Sequence, residues 1–189
     1  LFTSIFTFSH AATPENLYGR WADGKNGVVA AASPEASKIG VEIMKKGGNA
    51  VDAAVATAFA ISVFEPNASG IGGGGFMLIR MAKTGKTVVI DYREKAPSKA
   101  TPDMFVLDEN GKVVNNEIVE GGKASGVPGT VAGLLTALEK YGTMKRADVM
   151  APAIKYAEEG ITVSKNLETI IQDNYEKLAK FEAAGEVYL

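Results

Sequence analysis

Arg93 is the side chain of this sequence best suited to hold an anion. It closes an apolar, strand-like run within Asp91-Tyr92-Arg93-Glu94-Lys95-Ala96-Pro97. A planar guanidinium binds a carboxylate through two parallel hydrogen bonds, a geometry that lysine does not copy. The plainer reading is a surface arginine paired with Glu94 or Asp91, the commoner situation for arginine. Either way the residue sits at a sheet edge, just ahead of a turn at Ala96-Pro97.

Upstream lies Asn67-Ala68-Ser69-Gly70-Ile71-Gly72-Gly73-Gly74-Gly75-Phe76-Met77, with four consecutive glycines. Glycine loses more backbone freedom on folding than any other residue, so such a run is costly to order. It implies either φ > 0 conformations or the close approach of another group. Residues 70–75 formally match G-x-G-x-x-G, but that fingerprint needs a strand before it and a helix after it. Here an apolar helical pattern precedes and a strand pattern follows, and no Gly-Lys-Ser/Thr ends the run. A nucleotide cradle is therefore set aside. A tight helix-to-strand turn and a loop wall beside an active site remain, and the two are compatible.

What is missing narrows the chemistry. The 189 residues contain no cysteine and one histidine, His10. Disulfides, thiolate nucleophiles, a Ser-His-Asp triad and a His-rich zinc site are thereby excluded from the body of the chain. No metal site and no cofactor are expected. Any acyl transfer needs a nucleophile activated without histidine, or one supplied from elsewhere. With 46% apolar residues and a net charge of −2, the chain suits one globular core. It offers neither nucleic acid nor an anionic membrane surface a basic patch.

The elements that must position Arg93 are legible from local signals. Residues 27–32 read as a first buried strand. Ser33-Pro34-Glu35 starts a helix that stops at Gly47-Gly48, with Lys45-Lys46 in its last turn. Asn49 caps a second helix over 50–64, with Val51, Ala54, Val55, Phe59 and Val63 on its apolar face and Asp52 in its first turn. Residues 76–81 and 87–92 form a β-hairpin, and 104–107 and 113–114 a second one through Asn110-Gly111. Three helices follow: 130–141 ended by Gly142, 148–160 with Pro152 near its first turn, and a long one from the Ser164 cap through Phe181. The apolar stripe Leu167, Ile170, Ile171, Tyr175 and Leu178 reads as core. Residues 1–12 form a short apolar run ending in small residues, like the remnant of a secretory signal peptide, so a periplasmic or secreted protein is expected. Residues 13–189 are then expected to belong to the mature protein, as the N-terminal part of its larger chain.

Four separated motifs occur in one order: Gly47-Gly48-Asn49-Ala50-Val51-Asp52-Ala53-Ala54, residues 72–77, residues 91–97, and Ala124-Ser125-Gly126-Val127-Pro128-Gly129-Thr130-Val131-Ala132-Gly133. Together with Ala151-Pro152-Ala153-Ile154 and Glu159-Gly160, they resemble the N-terminal part of the large subunit of bacterial gamma-glutamyltranspeptidases. The resemblance spans residues 27–178. It implies an α+β fold, the αββα sandwich of the N-terminal-nucleophile hydrolases, of which this chain would supply part. It also implies a zymogen that cleaves itself, freeing a threonine at the start of a small subunit. That threonine attacks the γ-glutamyl amide with its own amine as base. By matching the family's strand-end arginine, Arg93 would bind the α-carboxylate of the γ-glutamyl group, and Glu94 would orient it or line the pocket.

The implied partners are a small-molecule substrate, glutathione or another γ-glutamyl compound, and the small subunit of the same precursor. The sequence ends at Leu189, ahead of the family's processing site, so no catalytic residue is expected within it. A related acylase, acting on cephalosporins or on poly-γ-glutamate, and a non-catalytic module are the alternatives.

Overall fold

The computed structural model describes residues 22–189; His10 and the leader-like residues 1–12 lie outside them. Two helices form the centre. In α1 (Pro34–Lys45), the Ser33 hydroxyl accepts the Ala36 amide and Pro34 fills the first position, where no N–H is needed. Gly47, at φ 92°, ends the helix in the left-handed region. In α2 (Ala50–Phe64), Asn49 and Asp52 form a reciprocal capping box.

α1 and α2 pack along their lengths, with Ala36, Ile39 and Ile43 facing the interior from α1 and Val51, Val55 and Phe59 from α2. α2 is buried nearly all round, although Ala54, expected on its apolar face, is exposed. Helices α3 (Thr130–Tyr141) and α4 (Arg146–Glu159) cover it, through Leu134, Ala137 and Leu138 and through Val149 and Ala153. The Phe64 and Tyr156 rings meet at 4.9 Å between α2 and α4. Strands β1 (Phe76–Arg80) and β2 (Thr87–Asp91) form an antiparallel hairpin with Leu78 opposite Val89 and Ile79 opposite Val88. Met77, Ile79 and Ile90 turn toward the helices, while Phe76, Leu78 and Val89 stand exposed on the other face.

Four expectations are corrected. Residues 27–32 form no strand, since a strand needs a ladder partner and no described residue supplies one; most of them are exposed. The second hairpin reduces to one bridge, Leu107 to Val113, around an Asp108 carboxylate that accepts the Asn110 and Lys112 amides. Its turn chemistry is as expected, but Val106 and Leu107 have nothing to pack on and the strands do not extend. Helix α4 begins two residues early, so Pro152 stands in its second turn and withholds a hydrogen bond from the Asp148 carbonyl. The long last helix is three: α5 (Lys165–Asp173), α6 (Tyr175–Ala179) and α7 (Glu182–Tyr188). Ser164 caps α5 as expected, yet only Leu167 of its stripe is buried. Ile170, Ile171 and Leu178 line a shallow groove of about 360 Å³ with Phe181 and Tyr188.

Asp52 does more than cap. Its side chain is wholly buried, and its carboxylate accepts the Asn49 amide at 2.7 Å, the Thr143 hydroxyl at 2.6 Å, the Thr143 amide at 2.9 Å and the Met144 amide at 3.1 Å. The Asn49 side chain donates to the Tyr141 carbonyl at 2.7 Å. The start of α2 is thus tied to the α3–α4 connection, some ninety residues later. Gly142 is bare because a Cβ there would lie 2.6 Å from Asp52 Oδ1.

Burial pushes the Asp52 carboxyl up, but the Thr143 hydroxyl and the surrounding amides outweigh it and hold its pKa below the usual value. Its contribution to stability is therefore present above the unfolded value of about pH 4, and is lost as the pH falls through the lower folded value. Asp52→Asn aims an amide N–H at these donors and is expected to cost about 2–4 kcal/mol in urea unfolding at neutral pH. The gap between the two proteins should narrow as the medium is acidified below about pH 4. A gap that widens on acidification would contradict the assignment.

Candidate functional site

The Arg93 segment is held by backbone contacts on both sides. Where β2 ends, the Asp91 carboxylate accepts the Arg93 amide at 3.0 Å and bends the chain. Tyr92 pairs with Gly75, its amide donating to the Gly75 carbonyl at 2.9 Å and the Gly75 amide returning at 3.4 Å. Beyond Glu94, Lys95 exchanges hydrogen bonds with Val127 at 2.8 and 3.3 Å. The carbonyl of Gly73 accepts both the Gly129 and Thr130 amides, at 2.9 and 3.0 Å. These are unpaired donors at the start of α3, which has no side-chain cap, so the glycine loop caps this helix.

Of the two explanations for the glycine run, close approach is the one realised. The positive-φ glycines are Gly47, Gly85, Gly111, Gly121 and Gly160, all outside residues 70–75. A Cβ at Gly74 would lie 2.6 Å from the Tyr92 carbonyl oxygen, 2.8 Å from the Glu94 nitrogen and 2.9 Å from Arg93 Cα. From the opposite side, a Cβ at Gly129 would overlap the Tyr92 carbonyl, and one at Gly133 the Tyr92 side chain. Residues 72–77, 91–97 and 124–133 therefore converge on one point, the backbone of Tyr92 to Glu94. The loop runs from α2 to β1, the order that ruled out a dinucleotide fingerprint.

Arg93 and Glu94 stand together at a cleft of about 560 Å³. Ala58, Ile61 and Leu134 form its apolar part, and Ser69, Gly73 and Thr130 are among its polar lining. The Arg93 side chain is 59% exposed and touches Glu94 Oε2 at 3.3 Å. An exposed pair between neighbouring residues adds little stability. One such contact leaves most of the five guanidinium donors available to a ligand. Both expected site residues thus share one cleft, and the pairing is with Glu94; Asp91 bonds the Arg93 backbone instead.

Sequence reasoning missed Tyr92 and the glycines of the third segment. Burial raises the Tyr92 hydroxyl pKa, and its oxygen reaches the Phe76 carbonyl at 3.5 Å. The available signal was the spacing of Gly129 and Gly133, four apart on a helix and so on one bare face. Among the described residues no cluster of acidic or histidine side chains is placed to hold a metal ion, and no helix is long and apolar enough to cross a membrane.

Comparison with known proteins gives this architecture a context. A family model described as Gamma-glutamyltranspeptidase matches residues 36–189. A glutathione hydrolase proenzyme of Bacillus subtilis (strain 168) is 53% identical over 190 residues, covering 98% of this chain and 32% of the relative. An acylase ACY 1 proenzyme of Pseudomonas sp. (strain V22) is 46% identical, over 84% of this chain and 29% of its own length. The crystal structure of Helicobacter pylori gamma-glutamyltranspeptidase superposes with a TM-score of 0.81 at 44% identity, over 87% of this chain and 46% of that one. The chain spans about a third of the length of the curated relatives it matches. The α+β fold of the N-terminal-nucleophile hydrolases is borne out, with the described residues supplying helices and one two-stranded sheet of it.

Gly73 and Gly74 separate the two uses of the loop. Gly74→Ala drives a methyl into the Tyr92–Glu94 backbone and should lower the thermal midpoint by several degrees, a loss of about 2–3 kcal/mol. Gly73→Ala meets its nearest atom at 3.5 Å, an ordinary contact, and should leave the midpoint within about a degree. Equal midpoints for the two variants, read by circular dichroism, would refute the close-approach account.

Proposed function

This chain belongs to the gamma-glutamyltranspeptidase family, and on that premise we propose that it forms the N-terminal part of the large subunit of an enzyme that cleaves γ-glutamyl amides such as glutathione. The γ-glutamyl group passes to water or to an amine acceptor. The observation that carries this reading is Arg93, held at the lip of the cleft by its backbone with its guanidinium largely exposed.

The chemistry divides between this chain and the rest of the precursor. The nucleophile is a threonine at the new N-terminus of a small subunit, made when the precursor cleaves itself. Its hydroxyl oxygen attacks the γ-carbonyl, its own amine takes the proton, and the amine leaving group departs protonated. Water or an acceptor amine then breaks the resulting ester. Such a base suits a sequence whose only histidine is His10.

Arg93 donates two parallel hydrogen bonds to the substrate α-carboxylate, fixing the γ-carbonyl at a set distance from the nucleophile. Glu94, half-buried beside it, orients the guanidinium through the 3.3 Å contact. The leader-like start of the sequence supports export, to the periplasm or the medium.

A second reading has its own support in the 46% identity to an acylase precursor: the same fold and arginine serving another acyl group. Hydrolysis of a cephalosporin side chain in preference to a γ-glutamyl anilide would favour it.

In the full-length gene product, Arg93→Ala should raise KM for a chromogenic γ-glutamyl anilide about 10- to 100-fold while self-cleavage, read on a gel, proceeds. Arg93→Lys should recover little of that loss, because the forked geometry is gone. An unchanged KM in Arg93→Ala would remove the assigned role.

A further inference from the structure

Arg93 has no side-chain partner that fixes its depth in the cleft apart from the exposed contact to Glu94. Its placement must come from the backbone, and the residue before it is held between two close neighbours. The Tyr92 side chain lies in a notch whose walls are two glycines. On the α3 side, Gly133 is buried and leaves no room for a Cβ beside the Tyr92 Cβ, Cγ and Cδ1 atoms. On the β1 side, a Cβ at Gly75 would stand 3.1 Å from Tyr92 Cε2 and 3.4 Å from Cζ.

The ring is thus contacted near its root by the helix and near its tip by the sheet. The half-buried ring anchors Tyr92 against α3, and the bend at the Asp91 carboxylate carries the Arg93 side chain to the cleft, where it is 59% exposed. Both residues border the cleft, and Tyr92, Arg93, Gly129 and Gly133 also border the adjoining depression behind it.

We propose that Tyr92 is a positioning residue whose ring, seated between Gly75 and Gly133, sets the reach of the Arg93 guanidinium into the cleft and hence the fit of the substrate carboxylate. The inference rests on the carboxylate-binding reading of Arg93. The ring acts by its shape. Its hydroxyl makes only one contact, at the 3.5 Å limit, to the Phe76 carbonyl. A smaller apolar residue leaves the notch underfilled, so that the segment settles by a fraction of an ångström and the guanidinium with it. Small misplacements of a binding group far from the chemistry carry large penalties in enzymes.

The test compares variants of the full-length gene product after self-cleavage, with a γ-glutamyl anilide as substrate. Tyr92→Leu should raise KM about tenfold with kcat within about twofold of wild type, and Tyr92→Phe, which keeps the ring, should restore KM. Gly75→Ala, which nudges the ring tip without emptying the notch, should raise KM about threefold; it decides the matter if Tyr92→Leu fails to mature. A role in stability alone would lower yield and thermal midpoint but leave the KM of the folded enzyme untouched. Arg93→Ala is run alongside. If it raises KM while Tyr92→Leu and Gly75→Ala do not, the positioning role is overturned and carboxylate binding stands. If Arg93→Ala also leaves KM unchanged, both readings fall.

Discussion

Everything around the cleft depends on backbone touching backbone at Tyr92 to Glu94. Gly74 presses on this segment from one side and Gly129 from the other, closer than any side chain would permit. Packing of this kind has no soft degree of freedom: a rotamer can give way to a new neighbour, whereas a peptide plane held between two others cannot. The cost is the conformational entropy of ordering glycines. What it secures is an arginine whose root is fixed although its tip is free, the combination a binding group needs if it is to meet a ligand without rearranging first.

The buried carboxylate of Asp52 serves a different part of the fold. It closes the N-terminus of α2 and receives the turn between α3 and α4 with the same two oxygens. Because α3 also begins at the glycine loop, this helix is tied at both ends by polar contacts, its start to Gly73 and its end region to Asp52. Leu134, Ala137 and Leu138 fill the space between. The helix that forms the back wall of the Tyr92 notch is accordingly set in register before any side chain of the cleft is considered.

The sequence was most legible where a local chemical rule decides the outcome. Ser33-Pro34, Asn49 with Asp52, and Ser164 each announce a helix start through a hydrogen bond made within three residues, and each lies where expected. Arg93 was readable as an anion-binding candidate from its place at a strand end, whereas Glu94 entered through the family resemblance; both border one cleft. Legibility failed where the outcome depends on distant partners. Residues 27–32 have strand composition and no strand beside them among the described residues. The stripe from Leu167 to Leu178 has helical spacing, but Asn174 interrupts it and most of its apolar residues face a groove instead of a core. Tyr92 gave no signal of its own, because its importance lies in what Gly75 and Gly133 lack.

The hairpin of β1 and β2 has a consequence for how this polypeptide behaves before it is complete. Phe76, Leu78 and Val89 form an uncovered apolar strip on a ribbon with no further strand beside it among the described residues. Such a surface adheres to others of its kind, and encounter between copies scales with their number per volume. Crowding on the ribosome or in a refolding vessel is therefore a variable that governs its fate. Dilution and cooling both protect this stretch of chain, the first by making encounters rarer and the second by weakening the apolar attraction itself.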